Sequence, residues 1–228
     1  AGYTVVVWNE IGDDPIYGGK ERKEMGVFSV GTNFDIPTKQ ITNNISCIWI
    51  ERFKESIIQK TPRIFFGCST IDIYTGKVIM FQYKYESNKL HEPCVFDELE
   101  RFMSIYNPKE TIIIHNYDND KKITEIMQFI DQEDIKIHSI RLNDKTNDKT
   151  IMALKCEKQI WQQEILKKFY KISDFNVFFE SYRFKEYPWA TQSFIYLLNF
   201  VEKHNNHLVE NLNPPEYDKS DDKVYLAT

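Results

Sequence analysis

The run RIFFGCSTIDIYTGKVIMFQYKY, Arg63 to Tyr85, followed by CVFDELERFMSIYNPKETIII, Cys94 to Ile114, decides the fold class. Two apolar-rich runs meet at Tyr74-Thr75-Gly76-Lys77, where Gly76 can take the positive φ of a tight hairpin. Thr70, Ile71, Ile73, Val78, Ile79 and Phe81 are the β-branched and aromatic residues that suit a pleated surface. Asp97, Glu98 and Glu100 then suit the positive end of a helix, and Leu99, Phe102, Met103 and Tyr106 recur at helical spacing. Asn107-Pro108 stops that helix. Thr111 to Ile114 is a short, wholly apolar run, the pattern of a strand buried on both faces. The unit reads strand, turn, strand, helix, strand.

Outward from this unit, Tyr3 to Glu10 and Met25 to Val30 are β-like and flank a polar loop bearing Gly12, Pro15, Gly18 and Gly19, which predicts a hairpin with a long tip. Gly31-Thr32-Asn33 marks a turn and Pro37 a boundary, and a strand follows at Ser46 to Glu51. On the other side, Thr124 to Asp131 is a short helix with Ile123, Ile126, Met127 and Ile130 on one face, and Ile135 to Arg141 alternates as a strand. Leu142 to Thr150 is a charged loop, Ile151 to Tyr170 a single long amphipathic helix, and Phe175 to Phe184 an aromatic-rich tract with helical character. Glu186 to Val209 is a second long helix, with Pro188 in its first turn and Asn213-Pro214-Pro215 beyond its end. Strands that alternate with helices give an α/β class: a ribonuclease H-like mixed sheet with flanking helices, an N-terminal β-hairpin and a C-terminal helical segment.

Composition narrows the role. At 228 residues and 42% hydrophobic content, the chain can bury a substantial core, so wholesale disorder is excluded. A net charge of −5 argues against a surface built mainly to grip phosphates. Cys47, Cys68, Cys94 and Cys156 are too far apart for zinc-ligand spacing and read as reduced thiols of an intracellular protein. No run approaches the length of about eighteen apolar residues that a membrane helix needs, and no secretory leader opens the sequence. The chain enters a strand at once and stops in the apolar Val224-Tyr225-Leu226-Ala227-Thr228, so a longer parent protein is expected.

Two chemistries can be set against the residues. A metal-dependent nuclease needs carboxylates converging on Mg²⁺, one of them on the first strand. Asp72 on the hairpin, Glu98 or Glu100 on the first helix and Asp118 beyond the next strand are the candidates. The plainer reading makes Asp72 a turn residue and Asp97, Glu98 and Glu100 partners of a helix N-terminus. His91, His115, His138, His204 and His207 show no paired metal spacing, although His204 and His207 stand three apart near a helix end. Ser69 and Ser139 lack a nucleophile elbow. Gly18-Gly19-Lys20 and Gly76-Lys77 lack the remainder of a phosphate-cradling loop, and Lys20, Arg22 and Lys23, mixed with Glu21 and Glu24, form a solvated tip.

Taken in order, the segments resemble the middle of a MutS-family mismatch-repair ATPase. Tyr3-Thr4-Val5-Val6-Val7 and Val27-Phe28-Ser29-Val30-Gly31-Thr32 are similar to the closing strands of the family's mismatch-binding domain and the turn that leaves it. Gly67 to Gly76 resembles the connector-domain hairpin, Asp97-Glu98-Leu99-Glu100-Arg101 with Pro108-Lys109-Glu110 the helix and Pro-x-Glu turn after it, and Leu197-Leu198 through Asn213-Pro214-Pro215 the first helix of the core domain. The resemblance implies residues 1–36 as the end of the mismatch-binding domain, 37–184 as a ribonuclease H-like connector and 185–228 as the start of the helical core. It implies a coupling module with no catalytic residue, no metal and no cofactor of its own. The parent would use ATP and Mg²⁺, bind DNA, pair with a MutS-type second subunit and offer a surface to a MutL-type protein, with no membrane contact. Phe53-Lys54-Glu55 and Phe96-Asp97-Glu98 match the letters of the family's Phe-x-Glu wedge but lie in connector segments, and the Walker motif belongs downstream of Thr228. The loop Glu10 to Glu24 and the tract Phe175 to Phe184 depart from the family pattern and suggest a divergent lineage, such as that of large DNA viruses or organelles.

With no glycine-rich phosphate loop, the chain by itself is expected to bind no ATP. Calorimetry with ATP and Mg²⁺ should give only heats of dilution, and micromolar binding would refute the reading.

Overall fold

Strand β3 (Asn44–Phe53) is the middle of the molecule because both of its faces are apolar. Ile45, Cys47 and Trp49 point into one core and Ile48 and Ile50 into the other, none more than 1% exposed. The computed structural model describes residues 3–13, 20–29, 31, 43–53, 61–86, 93–132, 135–170, 172–204 and 212–218. β3 pairs antiparallel with β4 (Arg63–Asp72), which pairs antiparallel with β5 (Val78–Glu86). On its other side β3 pairs parallel with β6 (Glu110–His115), and β6 with β7 (Lys136–Arg141). A two-residue strand, β8 (Glu216–Tyr217), adds parallel to β5, giving the order β7-β6-β3-β4-β5-β8. A meander followed by two helical crossovers is the mixed α/β arrangement that the sequence predicts. The N-terminal strands β1 (Val5–Asp13) and β2 (Lys20–Phe28) form a separate antiparallel hairpin.

Helices cover both faces of the sheet. α1 (Asp97–Tyr106) and α2 (Lys121–Phe129) lay Leu99, Phe102, Met103, Ile123, Ile126 and Met127 against Ile48, Ile50, Phe66 and Ile113. α1 stops where Asn107 turns left-handed at φ 37° and returns its N–H to the Met103 carbonyl, before Pro108. The opposite face carries α3 (Asp148–Cys156), α4 (Gln159–Phe169), α5 (Phe175–Ser181) and α6 (Pro188–His204).

Four expectations change. The single helix expected from Ile151 to Tyr170 is two helices. Lys158 is extended (φ −88°, ψ 122°), and the Gln162 amide donates to the Cys156 carbonyl at 2.8 Å where the chain turns. An apolar periodicity continues across such a break, so spacing alone does not reveal it. The strand expected from Ser46 starts at Asn44 and is the first strand of the sheet, which makes the Asp72 strand the second. β8 was not expected, since two residues carry no period.

The fourth change concerns α6, expected to open a separate helical domain after residue 184. Its residues Ala190, Phe194, Ile195, Leu197, Leu198 and Val201 share one core with Ile45, Cys47, Trp49, Ile71 and Met80. Ser193, Tyr196 and Asn199 are buried as well, so the helix is enclosed on nearly all sides. Its first turn lies directly on β4. A Cβ at Gly67 would meet the Trp189 carbonyl carbon at 2.1 Å, and the Trp189 and Ala190 amides donate to the Gln82 side chain at 2.9 and 3.2 Å. Gln82, on β5, thus caps α6 across space.

The hairpin tip 14–19, the turn at 32–33, Pro37, Lys54, Glu55, His91, His207 and the run 224–228 lie outside the described residues. Among the described residues no helix is long and apolar enough to cross a membrane.

Ending the chain at Phe184 removes the helix that closes one face of the sheet. The truncated chain is expected to lose its cooperative thermal transition, and a sharp melt near that of the intact chain would restore a boundary at residue 184.

Candidate functional site: a buried junction at the root of the hairpin

Glu110 opens β6, a strand whose other residues are neutral, and its side chain has no exposure. An ionised carboxylate in that position is tolerated only when it is surrounded by donors. Its Oε2 accepts from the Ser29 hydroxyl and from the Gly31 amide at 3.2 Å. Its Oε1 meets His138 Nε2 at 2.6 Å, with Lys136 Nζ at 3.6 Å. Burial alone would raise the Glu110 carboxyl, but the hydrogen bonds from His138 and Ser29 and the charges of His138 and Lys136 bring it down to about 2.

The partners come from three stretches far apart in sequence. Ser29 and Gly31 leave the hairpin, Glu110 begins a central strand, and Lys136 and His138 lie on the edge strand. Gly31 is pressed so close that a Cβ there would sit 2.6 Å from Ile45 Cγ1 and 3.1 Å from the Glu110 carboxylate. Asn43 Nδ2 donates to the Gly31 carbonyl at 2.7 Å, and the Asn43 amide donates to Asp72 Oδ1 at 3.1 Å. Lys136 also donates to the Thr4 hydroxyl at the start of the hairpin. The end of α6 closes the site: the His138 ring lies 5.5 Å from Phe200, whose ring lies 4.1 Å from that of His204 at a tilt of 35°. Burial pulls the His204 imidazole below its usual range, and its bond to the Phe200 carbonyl opposes that shift. The arrangement fixes the hairpin's root to the sheet. Among the described residues it sets no nucleophile beside a free base.

The acids singled out for a nuclease are dispersed. Asp72 ends β4 opposite Asn44, and its carboxylate accepts from the Asn43 amide, the Tyr74 amide and the Thr75 hydroxyl, so it shapes a turn. Glu98 is on the first turn of α1, half exposed and paired with Arg101 at 2.9 Å. Asp118 lies past the other end of β6, beside a depression of about 310 Å³ lined by Arg52, Lys121 and Lys122. Asp72 is level with the start of β6 and Asp118 is beyond its end, a separation of roughly 20 Å at strand rise. Two-metal chemistry needs carboxylates shared by ions about 4 Å apart. Among the described residues no group of three or more His, Cys, Asp or Glu side chains is placed to hold a metal ion.

A second cluster has the composition of a hydrolase triad without its wiring. His115 Nε2 lies 3.0 Å from Ser139 Oγ and 3.3 Å from Asp120 Oδ1, while Nδ1 accepts the Tyr117 amide at 3.2 Å. That acceptor role puts the ring proton on Nε2, so the ring donates toward Ser139 and Asp120 and cannot take the serine proton. Burial further lowers the His115 imidazole. Cys47, Cys68 and Cys156 are buried, and that burial raises all three thiols, Cys156 to about 12, which keeps them protonated.

Sequence reasoning touched Glu110 only as the end of the Pro-x-Glu turn and missed Ser29, Asn43 and His138 as a group. The available signal was an acid at the threshold of the run Thr111 to Ile114.

No family model matches the chain. A protein of Acanthamoeba polyphaga mimivirus, described as a DNA mismatch repair mutS homologue, is 26% identical to it. The match covers 94% of this chain and 20% of the relative. The chain is therefore similar to this mutS homologue along nearly its own whole length, and it spans about a fifth of the relative it matches.

Because the folded Glu110 carboxyl stands at about 2 against an ordinary 4.5, its stabilisation is present above about 4.5 and fades as pH falls toward 2. Glu110→Gln is expected to lower stability at pH 7 by about 2 kcal/mol and to flatten the loss of Tm between pH 5 and pH 3. A variant that melts in parallel with wild type through that window would disprove the role given to Glu110.

Proposed function

We propose that this chain is the connector region of a MutS-type DNA mismatch-recognition ATPase, a ribonuclease H-like module that couples nucleotide state to the binding of mismatched DNA. The observation that carries the reading is the Glu110 junction, a hydrogen-bonded joint between an N-terminal hairpin and an α/β body, in a chain similar to a mutS homologue along nearly all of its length. A module that passes a change of position between regions needs stiff joints more than reactive groups. Here the least exposed charge in the site is used to fix one chain segment to another.

In this reading residues 1–36 close the mismatch-binding domain. The apolar residues that the hairpin leaves exposed, among them Val5, Val6, Trp8 and Met25, are completed by sequence outside this chain. ATP and Mg²⁺ are bound elsewhere in the parent, and the chain itself is no enzyme. DNA is reached through the parent. A second MutS-type subunit and a MutL-type protein are the partners, and the setting is intracellular.

The test uses the full-length parent. Glu110→Gln is expected to leave affinity for a mismatched duplex within about threefold of wild type while weakening the change in that affinity on adding ATP. A variant with an unaltered response to ATP would refute the coupling role of the junction. Magnesium-dependent cleavage of branched DNA or an RNA–DNA hybrid by the wild-type chain, lost in Asp72→Asn, would instead favour a nuclease that uses Asp72.

A further inference from the structure

After α6 the chain returns across the sheet's β5 edge in residues 212–218. Leu212 and Pro215 are buried, and the Asn213 amide donates to the Gly76 carbonyl at 2.8 Å. Tyr170 Oη donates to the Asn213 carbonyl at 3.0 Å. Pro214 and Pro215 follow, and neither has an N–H to give. Only Glu216 and Tyr217 then pair with Ile79 and Met80. The Asp218 amide donates to the Met80 carbonyl at 2.8 Å. The Asp218 carboxylate has no exposure and receives Arg101 Nη1 at 2.8 Å and Tyr106 Oη at 3.2 Å, both from α1. Arg101 in turn lies over the Phe81 ring at 4.8 Å.

We propose that residues 212–218 form a releasable clasp, an edge segment whose far end is seated by the Asp218 carboxylate on Arg101 and Tyr106. A two-residue ladder is too short to hold itself, and the two prolines prevent it from lengthening toward Asn213. The charge-assisted bonds at Asp218 therefore carry the far end of the segment. Release also draws Leu212 out of the core beneath α6 and parts the Tyr217 ring from Tyr187, 4.3 Å away, while the sheet stays closed by β3, β4, β6 and the helices. It bares the β5 edge at Ile79 and Met80 and parts Arg101 and Tyr106 on α1 from the Asp218 carboxylate. A displacement of the chain at Asp218 is thereby delivered to one helix on the covered face. This deepens the coupling role proposed above and rests on that reading only for the use to which release is put.

Native-state hydrogen exchange on the chain tests the clasp without DNA or nucleotide. In wild type the amides of Asn213 and Asp218 are expected to exchange at least about tenfold faster than those of Ile113 and Ile114, by local opening. Asp218→Asn should speed exchange at residue 213 and residue 218 by at least about tenfold more, with the β6 amides unchanged. Tyr106→Phe should do the same to a smaller degree. Equal protection of the segment and β6 in wild type would overturn the proposal by making the segment part of the global core. So would unchanged exchange in both variants, or loss of protection throughout the chain in Asp218→Asn. If the segment opens as expected but the full-length parent shows no response to mismatched DNA, the clasp stands and the MutS-type function falls.

Discussion

A carboxylate with no access to water makes three remote segments conditional on one another. Glu110 remains ionised in the interior only because Ser29, Gly31, His138 and Lys136 supply donors and charge. Remove the hairpin's root and an anion is left facing apolar side chains. Remove the edge strand and the remaining donors leave Oε1 unpaired. Burial of one charge therefore does what area alone does poorly. Apolar contacts stabilise many registers of hairpin against sheet, whereas this carboxylate with its donors selects one.

The same logic explains why α6 belongs to the sheet. Gly67 gives up its side chain so that the Trp189 backbone can rest on β4, and Gln82 meets the amides that the helix start leaves open. Backbone-on-backbone contact of this kind tolerates almost no sliding. With α6 fixed at its start, Phe200 and His204 at its other end are fixed against His138, so the covered face of the sheet and the junction are positioned together.

The central order of elements was legible in the sequence because each carried its own period or stop. The alternation around Gly76, the apolar face from Leu99 to Tyr106, the Asn107-Pro108 stop and the neutral run after Glu110 all reappear as built. What depended on pairing across the chain was not legible. Lys158 turns the backbone without interrupting an apolar spacing, and β8 exists only because β5 presents an edge. α6 read only as a long helix although neighbours on several sides bury it, since a helix sequence reports how much apolar surface it has and not whose core receives it. The junction was nearly invisible for the same reason. A serine, a glycine, a glutamate and a histidine spread over more than a hundred positions have no shared spacing, and only the fold brings them within hydrogen-bond reach.

The junction and the clasp are joined by a short bonded path. Gly31 is held by Asn43, and Asn44 donates to the Tyr106 carbonyl while its own carbonyl accepts the Lys109 amide. The Tyr106 hydroxyl then reaches Asp218. Contiguity of this kind is not coupling in itself, because a stiff path transmits nothing unless one end has two positions. The Glu110 end does not offer them: its charge would be stranded by any opening. The Asp218 end does, since Glu216 to Asp218 lie at the sheet's edge on a two-residue ladder. The asymmetry gives the module a fixed end at the hairpin and a yielding end at the clasp, with Tyr106 at the end of α1 bonded to Asn44 on one side and to Asp218 on the other.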